Sequence, residues 1–213
     1  DFGICMEEGK LSKKDIKIVI AAHKPYRMPE DTMYVPLHVG AEGKKNPDGT
    51  PLDLGYQKDN EGDNISAKNP YYCELTGIYY AWKNIPAEYL GLVHYRRYFK
   101  GKNKSKDPFA CIVTEPEMEK IFETHRIVVP KKRKYYIETL YSHYAHTHYA
   151  EHLDCVREII GEQCPDYLNS YDKVIKQTSG YMFNMMVMER ALFDSYCAWL
   201  FAILFELEKR VGE

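Results

Sequence analysis

The alternation of apolar and polar positions along the chain predicts four strands, two of them buried, and several helices. Residues 16–22 (IKIVIAA) form a continuous apolar run rich in β-branched side chains. Such a run fits a central strand covered on both faces. It ends in His23, Lys24 and Pro25, a polar turn. From 25 to 69 the periodicity fades, Pro and Gly are frequent, and an acidic stretch runs from Asp59 to Asn64. A loop this long inside a compact domain is usually functional, and Tyr34, Val35, Leu37 and Val39 argue against simple disorder. Asn69–Pro70 then opens a helix, with Asn as cap and Pro in the first turn. Leu75, Ile78, Tyr79 and Trp82 fall on one stripe at i, i+3, i+4 and i+7. Residues 90–93 (LGLV) predict a second strand and 127–129 (IVV) a third. Residues 135–160 predict a helix broken at 161–165, residues 181–188 (YMFNMMVM) a fourth strand, and residues 191–210 a strongly apolar helix. Strands alternating with helices imply one α/β domain with a mostly parallel central sheet flanked by helices. It spans residues 16–213 behind a polar N-terminal tail at 1–15.

Composition narrows the function classes. The 213 residues, 45% of them hydrophobic, suffice for one domain with a core. A net charge of −2 gives no global field to draw in nucleic acid. The longest uncharged stretch near the end, 195–205, is too short to span a bilayer, so it reads as a buried helix, with contact to a membrane surface as a secondary expectation. The six cysteines show neither zinc-ribbon nor disulfide-framework spacing. They read as reduced thiols, which implies a cytoplasmic protein. The 19 tyrosines combine an apolar body with a polar tip, a combination suited to sugars and bases.

Four clusters could carry chemistry. His94, Tyr95, Arg96 and Arg97 follow directly on a buried strand, and ligands of open α/β sheets bind beyond the carboxyl ends of the strands. Period-two alternation puts His94 and Arg96 on one face, Tyr95 and Arg97 on the other. Guanidinium groups there would stabilise a departing diphosphate. Asp63, Asn64, Ser66, Asn69 and Glu74 form a dense polar set for sugar hydroxyls, with Asp63 or Glu74 as a general base. His148, Glu151 and His152 match the H-x-x-E-H order of a zinc peptidase, with Glu206 or Glu208 as a distant third ligand. This leaves a zinc hydrolase as a rival reading, and a non-catalytic glycan- or nucleotide-binding module as another. The basic run Lys131–Lys134 could hold an anionic donor or a lipid phosphate.

The motifs HKPY at 23–26, YVPLHVGA at 34–41, GDNISAKN at 62–69, YCELTGIYYAWKN at 72–84, GLVHYRRYF at 91–99 and YMFNMMVM with FDSYCAWLF at 181–201 together resemble the DUF4422 family. That family occurs in bacterial capsular and exopolysaccharide clusters and is similar to GT-A glycosyltransferases. The resemblance implies a GT-A-like, Rossmann-like domain that moves a sugar, galactofuranose in some members, from a UDP-type donor to a glycan or lipid-linked acceptor. It implies peripheral contact with the inner face of the plasma membrane. It places His23 and Lys24 by the nucleotide, His94, Arg96 and Arg97 near the diphosphate, and Asn184 near sugar. The family's pattern also continues beyond the last apolar helix, so the C-terminus reads as that of a short or truncated member. Many GT-A enzymes hold a divalent metal on Asp-x-Asp; no Asp-x-Asp occurs here, so no metal ligands are assigned and cationic side chains are expected in the metal's place.

Overall fold

The computed structural model describes residues 13–212. In chain order these form β1 (Ile16–Ala22), β2 (Tyr34–His38), β3 (Gln57–Lys58), α1 (Asn69–Tyr72), α2 (Leu75–Asn84), β4 (Tyr89–His94), α3 (Glu115–Ile121), β5 (Ile127–Val128), β6 (Arg133–Lys134), α4 (Leu140–Thr147), α5 (Ala150–Gln163), α6 (Leu168–Ile175), β7 (Ser179–Gly180), β8 (Met186–Glu189) and α7 (Arg190–Val211). The main sheet has the order β3-β2-β1-β4-β8-β5. β3, β2, β1 and β4 pair in parallel, and β8 runs antiparallel to both β4 and β5. This is the mostly parallel α/β architecture expected from the sequence, with one reversed strand.

Both faces of β1 are covered, which explains its unbroken apolar sequence. Val19 and Ala21 join Leu37, Leu90, Leu92 and Met186 under α2 and α7, where Ile78, Ala81, Phe193 and Phe201 complete one core. Ile16, Ile18, Ile20 and Val187 face the other way, onto Met118 and Phe122 at α3. The aromatic stripe of α2 locks onto α7: Tyr79 meets Phe201 edge-on at 5.0 Å and Trp82 stacks on it at 6.0 Å. A smaller core joins Ile159 and Ile160 of α5 to Ile203 of α7.

Several expectations are corrected. β2 lies inside the stretch expected to lack regular structure. The helix expected from 69 is split at Cys73, whose φ of 47° breaks it. Asn69 therefore does not cap: its Nδ2 donates to the Cys73 carbonyl at 2.7 Å and to Thr76 Oγ1 at 3.1 Å, bridging α1 and α2. The helix expected over 135–160 begins only at Leu140 and stops at His148, which has an extended backbone. The strand expected over 181–188 is confined to 186–189, because Phe183 and Asn184 both have positive φ (68° and 51°). Most of the expected tail lies outside the described residues. Its last residues belong to the body: the Asp15 carbonyl accepts from Glu88 N and Tyr89 N, and Lys13 pairs with Glu115 at 2.9 Å.

The reversed strand requires a glycine. Gly91 sits in β4 opposite Val187, and a Cβ there would lie 2.2 Å from the Met186 carbonyl oxygen. Gly91→Ala must push β8 away. We expect a loss of about 1–3 kcal/mol, as for other overpacked cores, read as a fall of several degrees in Tm. An unchanged Tm would show that β8 yields freely.

Candidate functional site

Parallel β1 and β4 end together at Ala22 and His94, and antiparallel β8 begins beside them, since Leu92 pairs with Met186. Reversal of β8 thus delivers residues 183–185 to the carboxyl rim. The chain turns sharply after β4: His94 N donates to the Arg97 carbonyl at 3.1 Å and Arg97 N to the His94 carbonyl at 2.9 Å. The alternation expected for 94–97 is replaced by this turn, and the two arginines leave it in different company.

Arg96 belongs to a group built around the Tyr95 ring. Its guanidinium carbon lies 5.0 Å from the ring centroid and Lys24 Nζ lies 5.8 Å away. His23 and Tyr26 meet the same ring edge-on at 5.3 and 5.2 Å. Tyr95 is 94% buried (6% exposed), and its hydroxyl has no hydrogen-bond partner among the described residues. A cavity of about 460 Å³ opens here, lined by Tyr26, Tyr95, Arg96, Tyr98, Lys100 and Phe109 among others. Partial burial, then the positive charges of Lys24 and Arg96, hold the His23 pKa below its ordinary value.

Arg97 belongs to a second group. It sits 4.2 Å above the Phe183 ring. His94 Nε2 donates to the Phe183 carbonyl at 2.7 Å. The next residue, Asn184, donates through Nδ2 to Glu74 Oε1 at 2.8 Å. Glu74 is the N-cap residue of α2, so the segment leading into β8 is tied to β4 through Phe183 and to α2 through Asn184. Two consecutive non-glycine residues with positive φ are held by these bonds, a strained arrangement of the kind found at functional sites. Among the described residues neither Arg96, Arg97 nor Lys24 forms an ion pair.

The expected polar set does not assemble as one unit. Ser66 and Asn69 serve the fold. Ser66 Oγ donates at 2.5 Å to Asp59, a fully buried carboxylate. The same carboxylate accepts from Gly40 N at 2.8 Å, Ala41 N at 3.0 Å and Thr76 Oγ1 at 2.7 Å. Asn64 Oδ1 accepts from Ser66 N and orders the turn. The Asp63 backbone donates to Asn84 Oδ1 and accepts from Asn84 Nδ2 at the far end of α2, and its carboxylate accepts from Tyr79 at 3.1 Å. A ten-residue helix spans about 15 Å, so Asp63 and Glu74 stand at opposite ends of α2.

The H-x-x-E-H motif does not form a zinc site. His148 caps α4 while Glu151 and His152 ride on α5, so the two histidines do not share a helix face. Glu206 is paired with Arg210 and Glu208 with Lys68. No group of three or more His, Cys, Asp or Glu suited to a metal ion occurs among the described residues.

Residues 17–213 match the family described as Domain of unknown function (DUF4422). The chain belongs to the DUF4422 family. Among solved structures it is similar to the apo form of the WbbM bifunctional glycosyltransferase, at 30% identity and a TM-score of 0.82. That match covers 94% of this chain and 38% of the WbbM chain, so this DUF4422 chain spans well under half of the larger protein. No curated protein matches it. The fold is therefore glycosyltransferase-like, as the resemblance implied. No helix among the described residues is long and apolar enough to cross a membrane, and five described cysteines are unpaired.

Sequence reasoning missed Tyr26, Tyr98 and Phe109 as cavity walls and Asp59 as the tie beneath the rim. The signal for Asp59 was the pair Ser66 and Thr76, two hydroxyls with no other reason to be buried. Asp59→Ala would leave four donors without their acceptor. Breaking a buried network of this kind should cost at least about 3 kcal/mol in urea unfolding. A loss under about 1 kcal/mol would show that the donors find other partners.

Proposed function

We propose that this chain is a glycosyltransferase that transfers a sugar from a nucleotide-diphosphate donor, with a UDP-linked sugar the first to test, to a glycan or lipid-linked acceptor in bacterial surface-polysaccharide synthesis. The observation that carries this reading is the pair of arginines, without an ion pair among the described residues, on one turn at the carboxyl rim beside an aromatic cavity. The nucleoside base stacks in the cavity of Tyr26, Tyr98 and Phe109. The diphosphate meets Arg96, Lys24 and His23 on one side and Arg97 on the other. The sugar lies toward Asn184 and Glu74. In the transfer an acceptor oxygen forms a bond to the anomeric carbon, the bond from that carbon to the phosphate oxygen breaks, and the nucleoside diphosphate leaves with the electron pair. In this reading Glu74 takes the acceptor proton. Galactofuranose is one candidate sugar, and unpaired cysteines support action at the cytoplasmic face of the membrane.

A divalent cation does not fit the end of β4. The side chains there are His94, Arg96 and Arg97, and the nearby carboxylate, Glu74, is engaged by Asn184. Arginine supplies the positive charge that a metal supplies elsewhere, as planar forks matched to phosphate oxygens.

Thermal shift tests the donor site, since stabilisation tracks ligand concentration over Kd. Sugar nucleotides should raise Tm with or without Mg²⁺ or Mn²⁺. Arg96→Ala should keep the response to nucleoside and weaken the diphosphate response by about 10- to 100-fold in Kd, the loss of one charge-assisted contact of 1.5–3 kcal/mol. An unchanged diphosphate response removes Arg96 from the site, strict metal dependence defeats the cationic reading, and donor binding without turnover on any glycan favours a binding module.

His23 gives a pH signature. Its neutral form is favoured in the free protein, and an anionic diphosphate beside it raises the pKa. Donor binding therefore takes up a proton, and affinity rises as pH falls from about 8 to about 6, by up to roughly tenfold for a one-unit shift. Calorimetry in buffers of different ionisation enthalpy reads the proton uptake, and His23→Gln should abolish it. Uptake that survives in the variant places the proton elsewhere.

A further inference from the structure

The two-stranded antiparallel sheet of β6 and β7, whose strands are separated in sequence by α4, α5 and α6, is separate from the main sheet, and the chain leaving β6 exposes two large apolar side chains. Tyr136 is 96% exposed and Ile137 94%. The four residues Lys131, Lys132, Arg133 and Lys134, separated from them by Tyr135, are all exposed cations. None of the four forms an ion pair among the described residues; Lys132 lies 5.2 Å above the Tyr181 ring and Arg133 5.5 Å above Tyr135. The nearest acidic group in sequence, Glu138, is taken up by His143 and His146 at 2.9 and 2.6 Å. A chain with net charge −2 thus concentrates four positive charges beside two exposed apolar side chains.

We propose that residues 131–137 form an interfacial anchor that seats this chain on an anionic lipid surface. Lysine and arginine meet the lipid phosphates, and Tyr136 and Ile137 enter the boundary between headgroups and acyl chains. The cations alone would suit any polyanion. The exposed isoleucine favours lipid, because a bilayer offers hydrocarbon directly beneath its phosphates. The anchor also borders a second cavity, distinct from the one at Tyr95: Lys132, Tyr135, Tyr181 and Met182 line a mostly apolar space of about 540 Å³, and Met182 adjoins Phe183 in the chain. Seating would turn that cavity toward the membrane, where a lipid-linked acceptor is held. This last step rests on the glycosyltransferase reading; the anchoring does not.

The test is co-sedimentation of the chain with vesicles of phosphatidylcholine alone or of equal parts phosphatidylcholine and phosphatidylglycerol. Anionic vesicles should bind at least about tenfold more tightly, with the difference shrinking as salt is raised. The double variant Tyr136→Ser/Ile137→Ser should lose about tenfold, because the buried apolar area is gone, with Tm unchanged at such exposed positions. Lys131→Gln/Lys134→Gln should weaken the preference for anionic lipid. Ile137→Trp should show a blue-shifted fluorescence maximum on anionic vesicles. Equal binding to both vesicles, no binding to either, or a serine variant that binds as the parent does overturns the proposal. The thermal response to sugar nucleotides, measured on the same preparations, bears only on the glycosyltransferase reading.

Discussion

The pairing of β8 against β4 in the reverse direction is the constraint on which the rim depends. A parallel strand in that place would begin at the amino edge of the sheet. It would carry Phe183 and Asn184 to the side opposite His94. Reversal brings them within hydrogen-bonding distance of β4 and of α2, and Gly91 lets the Met186 carbonyl approach where a Cβ would stand. One missing methyl group in a core strand thus decides which side chains surround the turn at 94–97. Asp59 completes the frame from the other flank. Its four hydrogen bonds fasten the backbone after β2 to the start of α2, and so fix where Glu74 points.

Charge is distributed with a consistent logic. Arg27, Arg126, Arg157, Arg190 and Arg210 are each paired with a carboxylate. Arg96, Arg97 and Arg133 are the arginines without such a partner among the described residues. Two of them crown the carboxyl rim and the third lies in the basic tip. Exposed ion pairs contribute little to stability, so pairing is cheap to provide and its absence is informative. Each unpaired guanidinium instead lies over an aromatic ring, Tyr95, Phe183 or Tyr135, which orients it without neutralising it. A cation held in place and left uncompensated is suited to an anion that arrives from solution.

The parts legible in the sequence were those where one strong signal acted alone. β1, β4 and the α2 stripe are plain because burial on both faces, or on one helical face, forces the pattern. β2 was missed because Pro36 interrupts YVPLH. It is tolerated where it falls: Pro36 is opposite Ile20 of β1, while β3 reaches only Leu37 and His38 on the other side. The reach of β8 was overestimated because apolar YMFN looks like strand, and positive φ at a phenylalanine has no compositional signature. Asp63 and Glu74 seemed to be neighbours because they are near in sequence, yet a helix of ten residues lies between their positions. His148 and His152 seemed to share a helix because nothing in the spacing marks the break between α4 and α5.

The strain at Phe183 and Asn184 ties these strands of argument together. Each left-handed non-glycine residue costs on the order of 1–3 kcal/mol, and glycine at either position would relieve it. The compensation is specific. The Phe183 carbonyl accepts from His94, the Phe183 ring carries Arg97, and the Asn184 amide holds Glu74. Relaxing the backbone with glycine would therefore remove the ring or the amide that organises the arginine and the carboxylate. A backbone kept in an unfavourable conformation for stability alone would not need those two side chains. One kept to place a cation and a carboxylate on the same rim needs both, and this is the arrangement that the proposed sugar transfer would use.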